Sequence, residues 1–303
     1  MQDMDVTRLN LPPAVTGERR EIAGRSGRLS YYVQGSGAPL LLLHSINAAA
    51  SVREVQPAFE HAAKSHRAYA PDLPGYGFSD RSPRTYDVAL FCNAIRDMLE
   101  VIAREHGNTP VDALALSLSA EFLARVADEL PQRFRTLTLV TPTGFRRGYD
   151  RMRKPEGTNR EIPGLYPAVT FPLWRGALFH GLVSRASVRY FLRRTFGSQD
   201  VPESLVDYSW RTAHQPGADH APFTFLSGRL FSADIRNVYE RLQLPVWLAH
   251  GTRGDFADFS EAGWVRTRAN WKTHAFDTGA IVYYQQPELF LQRWDAFLAL
   301  PPK

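Results

Sequence analysis

The segment 111–130 constrains the fold of this chain more than any other. Its apolar run ends at Leu116, after which apolar residues recur at helical spacing, so the pattern predicts a strand, a tight turn and a helix with Ser117 at the corner. A serine on such a strained turn needs small residues two positions away on either side, because the strand and helix backbones would otherwise clash. Ala115 and Ser119 meet that demand.

The same motif has a simpler interpretation. It is Ala-x-Ser-x-Ser, where the usual nucleophile turn has glycine at both outer positions. Ser117 or Ser119 would equally suit the N-cap of the helix, since serine is a favoured capping residue. Ser119 is the poorer candidate for a nucleophile, because Glu121 would then occupy a position that needs a small side chain. The motif alone leaves both interpretations open.

Composition favours a globular protein. Of the 303 residues 44% are hydrophobic and 22% are charged, which is ordinary for a folded domain and argues against disorder. The first residues show no secretory signal, and no apolar stretch reaches the roughly 18 residues of a membrane span. The single cysteine, Cys92, excludes an internal disulfide and suits a reducing compartment. We therefore expect a cytoplasmic protein without a membrane span, either a monomer or a homodimer, with Cys92 buried in a helix.

The net charge of +5 is basic, but no motif for nucleic-acid binding accompanies it. A solvated loop is the favoured explanation for the densest basic cluster, although such a cluster would also steer an anionic ligand. The cluster comprises Arg146, Arg147, Arg151, Arg153 and Lys154. Because no phosphate-binding glycine motif and no ligand-spaced histidine or cysteine cluster is present, we expect no cofactor and no metal.

Strand and helix patterns alternate along most of the chain, which predicts an α/β fold with a mostly parallel central sheet flanked by helices. After an antiparallel strand pair near 19–33, strands are expected near 40–44, 67–70, 111–116, 136–140, 245–250 and 272–276, and helices near 52–63, 86–106, 119–130 and 287–300. The alternation stops at Pro142. Residues 144–232 are rich in aromatics and short helical patterns, so we expect a helical cap there, inserted between core segments 1–143 and 233–303.

Four motifs in this order resemble the α/β-hydrolase superfamily, in the capped branch that includes epoxide hydrolases, haloalkane dehalogenases and meta-cleavage-product hydrolases. They are the apolar strand Leu40–Ser45, the loop Asp72–Ser79, the turn at Ser117 and the strand Pro245–Gly251. The resemblance covers nearly the whole chain. It implies Ser117 as nucleophile and the backbone N–H groups of Ile46 and Leu118 as the oxyanion hole, which would stabilise the negative charge that develops on a substrate oxygen.

The resemblance also implies Asp255, with Asp258 as its rival, as the acid that orients a catalytic histidine. Family members carry that histidine after a glycine in the turn that follows the last strand. Here the turn reads Gly279-Ala280. A methyl group accepts no proton, and loss of the base costs on the order of 10⁶ in turnover in a well-studied serine triad. We therefore expect a poor hydrolase, although the small turn is expected to have room for a histidine.

Three explanations of Ala280 stay open at this stage. The histidine has been replaced in an engineered variant; or this branch uses another base or a non-hydrolytic reaction; or the chain is a binding protein, as gibberellin receptors are hydrolase-like proteins without this histidine. Of the other histidines, His44 and His250 are usually structural in this fold, and His274 is expected to face a neighbouring strand.

The aromatic cap suggests a largely apolar substrate, since ligand pockets are lined mainly by such side chains with a few polar anchors. The hypothesis is an ester, lactone or related carbonyl compound, with non-catalytic binding as the alternative. Dehalogenation and epoxide opening are disfavoured, because those branches resemble this one but carry aspartate at the elbow. The substrate-binding candidates are Asn47, Trp174, His220 and Phe223, although a structural role is the commoner one for a cap histidine.

Overall fold

One eight-stranded sheet forms the centre of the computed structural model, which describes residues 10–149 and 154–300. The strands lie in the order β1-β2-β4-β3-β5-β6-β7-β8. Their bounds are β1 (Glu18–Gly24), β2 (Gly27–Gln34), β3 (Ala38–Leu43), β4 (His66–Pro71), β5 (Val111–Leu116), β6 (Phe134–Val140), β7 (Val246–Gly251) and β8 (Trp271–Phe276). The α/β class and the mostly parallel sheet are therefore confirmed.

Strand direction follows the predicted pattern with one addition. Strands β4, β3, β5, β6, β7 and β8 run parallel, and β1 pairs antiparallel with β2 as expected. The antiparallel pairing of β2 with β4 was not predicted, because strand patterns do not specify which non-consecutive strands become neighbours. The parallel strands end at one edge of the sheet, so the loops after β3, β5, β6, β7 and β8 gather there.

Eleven α-helices occur in the part of the chain that the structure describes. They are α1 (Gln56–Ala62), α2 (Val88–His106), α3 (Ser119–Glu129), α4 (Leu165–Val169), α5 (Arg175–Leu182), α6 (Arg185–Phe196), α7 (Glu203–Ala213), α8 (His220–Leu226), α9 (Ile235–Arg241), α10 (Val282–Gln285) and α11 (Pro287–Leu298). No helix among residues 10–149 and 154–300 has both the length and the apolar character needed to cross a membrane.

The continuous apolar run of β3 is explained by two cores, one on each face of the sheet. Leu41 and Leu43 pack with residues of α2, α3 and α9, whereas Leu40 and Leu42 pack with residues of α1 and α11. Successive side chains of a strand point to opposite faces, so a strand covered on both faces must be apolar at every position. Cys92 lies in the first core and is buried, as predicted.

Helices α4 to α8 fall within the predicted cap, between β6 and α9. They enclose a small cluster of their own, and an isolated bridge between Asn159 and Ser232 joins the two ends of this segment. The cluster consists of Phe179, Val183, Ala213, Ala218 and Phe223. The boundaries of the cap remain a prediction.

The predicted basic cluster lies near the start of the cap, and its members in the described ranges are exposed. These are Arg146, Arg147 and Lys154. Arg151 and Arg153 lie outside the described residues.

Glu121 ties the start and the end of the cap to α3. The Thr143 hydroxyl donates to one oxygen of its carboxyl group, and the Ser232 backbone N–H donates to the other at 2.8 Å. The side chain is completely buried, and this burial raises the pKa of Glu121 to about 7 because the charged form loses its hydration. One buried carboxyl group thus joins the helix after Ser117 to both ends of the insertion.

The Glu121→Gln variant tests this assignment, because glutamine is uncharged like the protonated acid: its Oε1 can accept from the Ser232 N–H and its Nε2 can donate to the Thr143 hydroxyl oxygen, as a protonated carboxyl group would. The ordinary pKa of 4.5 applies to the unfolded chain and about 7 to the folded one, so the folded state binds more protons between these pH values. Stability from the protonated form is therefore full below about pH 4.5 and lost as the pH rises through about 7. We expect Glu121→Gln to gain on the order of 3 kcal/mol over the wild type between pH 5 and pH 8 in urea unfolding.

Glu129→Gln is the matched control, since Glu129 is exposed on the same helix and pairs with Arg96. Its unfolding free energy should follow the wild type at both pH values. An equal loss of stability in Glu121→Gln at both pH values would contradict the assignment.

Candidate functional site

Ser117 lies at the corner between β5 and α3 in a left-handed backbone conformation. Its φ is +57°, a region that costs a non-glycine residue on the order of 1 kcal/mol or more. The Ser117 N–H donates to the Val140 carbonyl oxygen at 2.9 Å, and its own carbonyl oxygen accepts from the Ala120 N–H at 3.1 Å. The neighbouring strand and the first turn of α3 therefore hold the strained corner in place.

The structure separates the two serines of this motif. The Ser119 hydroxyl is fully buried and donates to the His44 carbonyl oxygen at 2.5 Å, which fixes the start of α3 against the end of β3. Ser117 is only half-buried, and among the described residues no side chain caps the N-terminus of α3. The helix-capping interpretation therefore fails for both serines.

The two predicted oxyanion donors are buried residues on adjacent loops. Ile46 follows β3 and Leu118 follows Ser117. Across residues 10–149 and 154–300, neither the Ile46 N–H nor the Leu118 N–H donates a hydrogen bond. Buried amides are nearly always paired, so two unpaired donors beside a strained serine suit a site that receives an acceptor atom from a ligand.

Glu54 holds the loop that carries Ile46, and sequence reasoning missed it. Its buried carboxylate accepts from the Ser45 backbone N–H at 2.9 Å and from Asn47 Nδ2 at 2.8 Å. Burial raises the pKa of Glu54, while these hydrogen bonds act in the opposite direction. The predicted substrate contact Asn47 is engaged in the same loop, because its Oδ1 accepts from the Ala49 N–H at 2.7 Å.

The turn at Ala280 is packed against the cap. Ala280 is buried, its N–H donates to the Thr195 carbonyl oxygen of α6 at 2.7 Å, and its carbonyl oxygen accepts from Thr141 Oγ1 at 2.8 Å. A Cβ on Gly279 would lie 2.3 Å from the backbone of Phe196. Position 279 therefore has no room for a side chain, because the last turn of α6 occupies the adjacent space, and the room for a histidine at position 280 stays a prediction.

Asp255 has a different partner from the one implied by the resemblance. Its exposed carboxylate forms an ion pair with the Arg194 guanidinium of α6, and its N–H donates to the Arg194 carbonyl oxygen at 3.2 Å. The rival Asp258 accepts from the Arg147 backbone N–H at 3.0 Å and from Ser260 Oγ at 2.7 Å. In the described ranges, the Ala280 backbone makes its hydrogen bonds to Thr195 and Thr141 and not to either carboxylate.

Glycines allow this close approach of α6 to the loop after β7. Gly197 and Gly254 both have positive φ, and a Cβ on Gly254 would lie 2.4 Å from the Arg194 carbonyl oxygen. A Cβ on Gly197 would lie 2.6 Å from the Gly254 nitrogen. The contact is thus backbone against backbone, and a side chain at Gly254 or Gly197 would prevent it.

The histidines at the strand ends make structural hydrogen bonds. His44 Nε2 accepts from the Leu73 N–H at 2.9 Å while Nδ1 donates to the Ser45 carbonyl oxygen at 2.7 Å, and burial lowers the pKa of His44 to about 4. His250 stacks on Phe259 with ring centroids 4.0 Å apart. His274 accepts from the Trp247 indole N–H at 2.9 Å, across two neighbouring strands as predicted. Within the described ranges, no side chain makes a hydrogen bond to the Ser117 hydroxyl.

The cap candidates occupy different environments. His220 accepts from Arg175 Nη2 at 2.8 Å and stacks on Tyr86, and burial lowers its pKa. Phe223 is fully buried in the cap cluster. Trp174 is 46% exposed on the surface of the cap.

The cap cluster that contains Phe223 packs on the loop after β3. The partly buried Ala48 and Ala49, which follow Ile46 closely, contact it. In addition, a Cβ on Gly75 would lie 2.6 Å from Ala221 of α8, so the cap also lies directly on the loop after β4. The apolar cluster therefore covers the predicted oxyanion loop. Among the described residues, no group of three or more His, Cys, Asp or Glu side chains is arranged to hold a metal ion.

Relatives of known sequence resemble this chain over limited lengths. An uncharacterized protein of Mycobacterium tuberculosis is 32% identical over 117 residues, which are 39% of this chain and 33% of that protein. A 2-hydroxymuconate semialdehyde hydrolase of Pseudomonas sp. is 28% identical over 141 residues, which are 45% of this chain and 47% of that enzyme. The matches thus span between a third and a half of these relatives.

Solved structures match over nearly the whole chain. A serine hydrolase involved in carbazole degradation has a TM-score of 0.74 at 14% identity, with 94% of this chain and 100% of that chain covered. The enol-lactonase from Burkholderia xenovorans has a TM-score of 0.70 at 16% identity, with 93% and 100% covered. At such identities the likeness concerns the fold alone. A family model described as the alpha/beta hydrolase fold matches residues 38–254, and the chain belongs to this family.

Proposed function

We propose that this chain binds an apolar, carbonyl-containing small molecule of the ester or lactone class, and that Ser117 attacks it slowly because the catalytic triad is incomplete. The observation that carries the proposal is the combination of a strained Ser117 and two unpaired amides, at Ile46 and Leu118, with an alanine at the position of the base. In this proposal the chain keeps the nucleophile and the oxyanion donors of a hydrolase site but lacks the general base.

In the proposed reaction, each part of the site has one role. The substrate carbonyl oxygen accepts from the amides of Ile46 and Leu118, and Ser117 Oγ lies beside the carbonyl carbon. Attack by Ser117 requires its proton to leave, and Ala280 offers no acceptor, so water must take the proton. As the ester or lactone C–O bond breaks, water must also supply a proton to the departing alkoxide, which leaves an acyl group on Ser117. Binding and oxyanion stabilisation alone accelerate such a reaction about 10³ to 10⁴-fold over water.

Three observations support the substrate class and the reaction. The cap cluster around Phe223 is apolar and packs on the oxyanion loop, which favours an apolar ligand. The enzymes similar to this chain include a 2-hydroxymuconate semialdehyde hydrolase and an enol-lactonase, whose names both denote carbonyl substrates. Serine rather than aspartate at the elbow supports acyl chemistry over epoxide opening.

A second candidate function is ligand binding without turnover. The contact of α6 with Ala280 favours it. The hydrogen bond from the Ala280 N–H to the Thr195 carbonyl oxygen gives this turn a structural role, which is to hold the cap against the core. In such a protein the elbow would serve only to bind a carbonyl or carboxylate oxygen. The two candidates differ in whether Ser117 forms a covalent bond.

Labelling with an organophosphonate distinguishes these candidates. We expect intact-protein mass spectrometry to show one slowly formed adduct on the wild type, and none on Ser117→Ala, because the strained serine is presented to the oxyanion donors. Ser260→Ala, which changes an exposed serine outside the elbow, should label like the wild type. If no adduct forms, no ester or lactone is turned over and Ser117→Ala keeps the wild-type ligand affinity, the binding function replaces the serine chemistry.

Restoring the base gives a second test. In a well-studied serine triad, loss of the histidine costs about 10⁶ and loss of the aspartate about 10⁴ in turnover, so an imidazole without its carboxylate should recover about 10²-fold. We expect Ala280→His to raise kcat for activated esters by that order, with a rate that increases as the imidazole loses its proton near pH 6.5.

The kcat of Ala280→His should rise further if Asp255 is free to orient the new imidazole. The Asp255 carboxylate is held by Arg194, so Ala280→His combined with Arg194→Ala should free Asp255 and raise kcat further. Arg193→Ala in the same background is the matched control, because Arg193 adjoins Arg194 on α6 and does not bind Asp255. A correctly folded Ala280→His protein that stays inert toward all activated esters in both backgrounds would contradict the assignment of Ser117.

A further inference from the structure

The cap presents an apolar surface segment, residues 162–178, in which Arg175 is the one charged side chain. Residues 162–174 contain no Asp, Glu, Lys or Arg, and Arg175 is the one such residue in 162–183. Large side chains of this segment are exposed, to 82% for Leu173, 54% for Ile162, 48% for Phe171 and 46% for Trp174, with Leu178 at 43%. Large apolar side chains exposed this close together along the chain suit an interaction site.

The segment is held so that one side packs inward and the other faces out. Tyr166 and Val169 pack against the cap cluster around Phe223. The loop that follows is fixed by a hydrogen bond from the Trp174 indole N–H to the Ala168 carbonyl oxygen at 2.8 Å, and the Phe171 and Trp174 rings lie 4.6 Å apart. These two contacts hold the loop, and its outward side chains face solvent.

The charge of the chain is concentrated in the same region. The predicted cap, 144–232, contains 12 Arg and one Lys against seven Asp and Glu, a net charge of +6. Since the whole chain carries +5, the remaining residues carry −1. Many of these cap cations are paired, as Arg175 is with Asp219 and Arg185 with Asp207, but the excess remains positive.

We propose that the segment 162–178 docks this chain onto an anionic phospholipid surface. Exposed Trp, Phe and Leu side chains enter the boundary between headgroups and acyl chains, while a basic domain is attracted by anionic headgroups. This surface goes beyond the proposed function and does not rest on it.

Charge favours a lipid surface over a second copy of the chain as the occupant. A symmetric dimer through this segment would place two caps, each with a net charge of +6, against each other. A dimer in which the cap contacts the rest of a second copy would pair +6 with a net charge of only −1. An anionic membrane surface complements the apolar segment and the basic cap together. A dimer through the same face is therefore the outcome that would replace this proposal.

Vesicle co-sedimentation tests the proposal with the full chain. We expect binding to phosphatidylcholine vesicles that contain roughly 30% phosphatidylserine, at least tenfold weaker binding to phosphatidylcholine alone, and weakening by added salt. The triple variant Phe171→Ser, Leu173→Ser, Trp174→Ser should bind at least tenfold more weakly than the wild type. The control is the double variant Phe256→Ser, Leu289→Ser, which removes two exposed apolar side chains outside the cap. These side chains are 49% and 39% exposed, and the double variant should bind like the wild type.

Thermal unfolding should show that both variants fold, since the changed side chains are exposed. Absence of vesicle binding by the wild type, or undiminished binding by the folded triple variant, would overturn the proposal. So would analytical ultracentrifugation that shows a dimer dissociated by the triple variant without vesicle binding, because the segment would then be an interface between copies.

Discussion

The left-handed backbone of Ser117 is the constraint on which the candidate site depends. A non-glycine residue keeps a φ of +57° only where its surroundings fix it on several sides. Here the Val140 carbonyl fixes the Ser117 N–H, and the Ser119 hydroxyl fixes the start of α3 to His44 at the end of β3. The parallel sheet thereby brings Ser117 beside the loop that contains Ile46. The buried carboxylate of Glu54 holds this loop by accepting a hydrogen bond from the Ser45 N–H.

A second constraint acts on the opposite side of the site. The final turn of α6 lies against Ala280 and against the loop after β7 through backbone contacts that only glycines allow. Arg194 adds an ion pair to Asp255, the carboxylate that the family pattern assigns to the histidine. Under the proposed function these two features agree, since Ala280 offers no imidazole for Asp255 to orient, and the ion pair of Asp255 with Arg194 helps to hold the cap instead.

Much of the fold followed from the sequence because its signals are local. The apolar run of β3 and the small residues around Ser117 are requirements of a doubly covered sheet and of a sharp turn, and neither depends on distant parts of the chain. The antiparallel pairing of β2 with β4 was not predictable, because it depends on which strands become neighbours in space. A charged residue on the apolar face of α3 was a visible signal for Glu121, but its partners Thr143 and Ser232 are far away in sequence.

The candidate site could be proposed from the sequence by residue type, whereas its contacts could be predicted only in part. Motif order gave the positions of Ser117, Ile46 and Leu118, whereas the partner of Asp255 depends on how α6 lies on the core, and no local pattern encodes that. The exposure of Trp174 has the same origin, since an aromatic residue in a cap suits a pocket and an outer surface equally well.

The central claim is that Ser117 and the two amides form a carbonyl-binding site without a base. A crystal structure of the chain with a trifluoromethyl ketone bound tests it most directly. The expected result is a ligand oxygen about 3 Å from both the Ile46 and Leu118 nitrogens, with no histidine or carboxylate within hydrogen-bond distance of Ser117 Oγ. A ligand bound elsewhere, or a side chain such as His220 hydrogen-bonded to Ser117 Oγ, would contradict it.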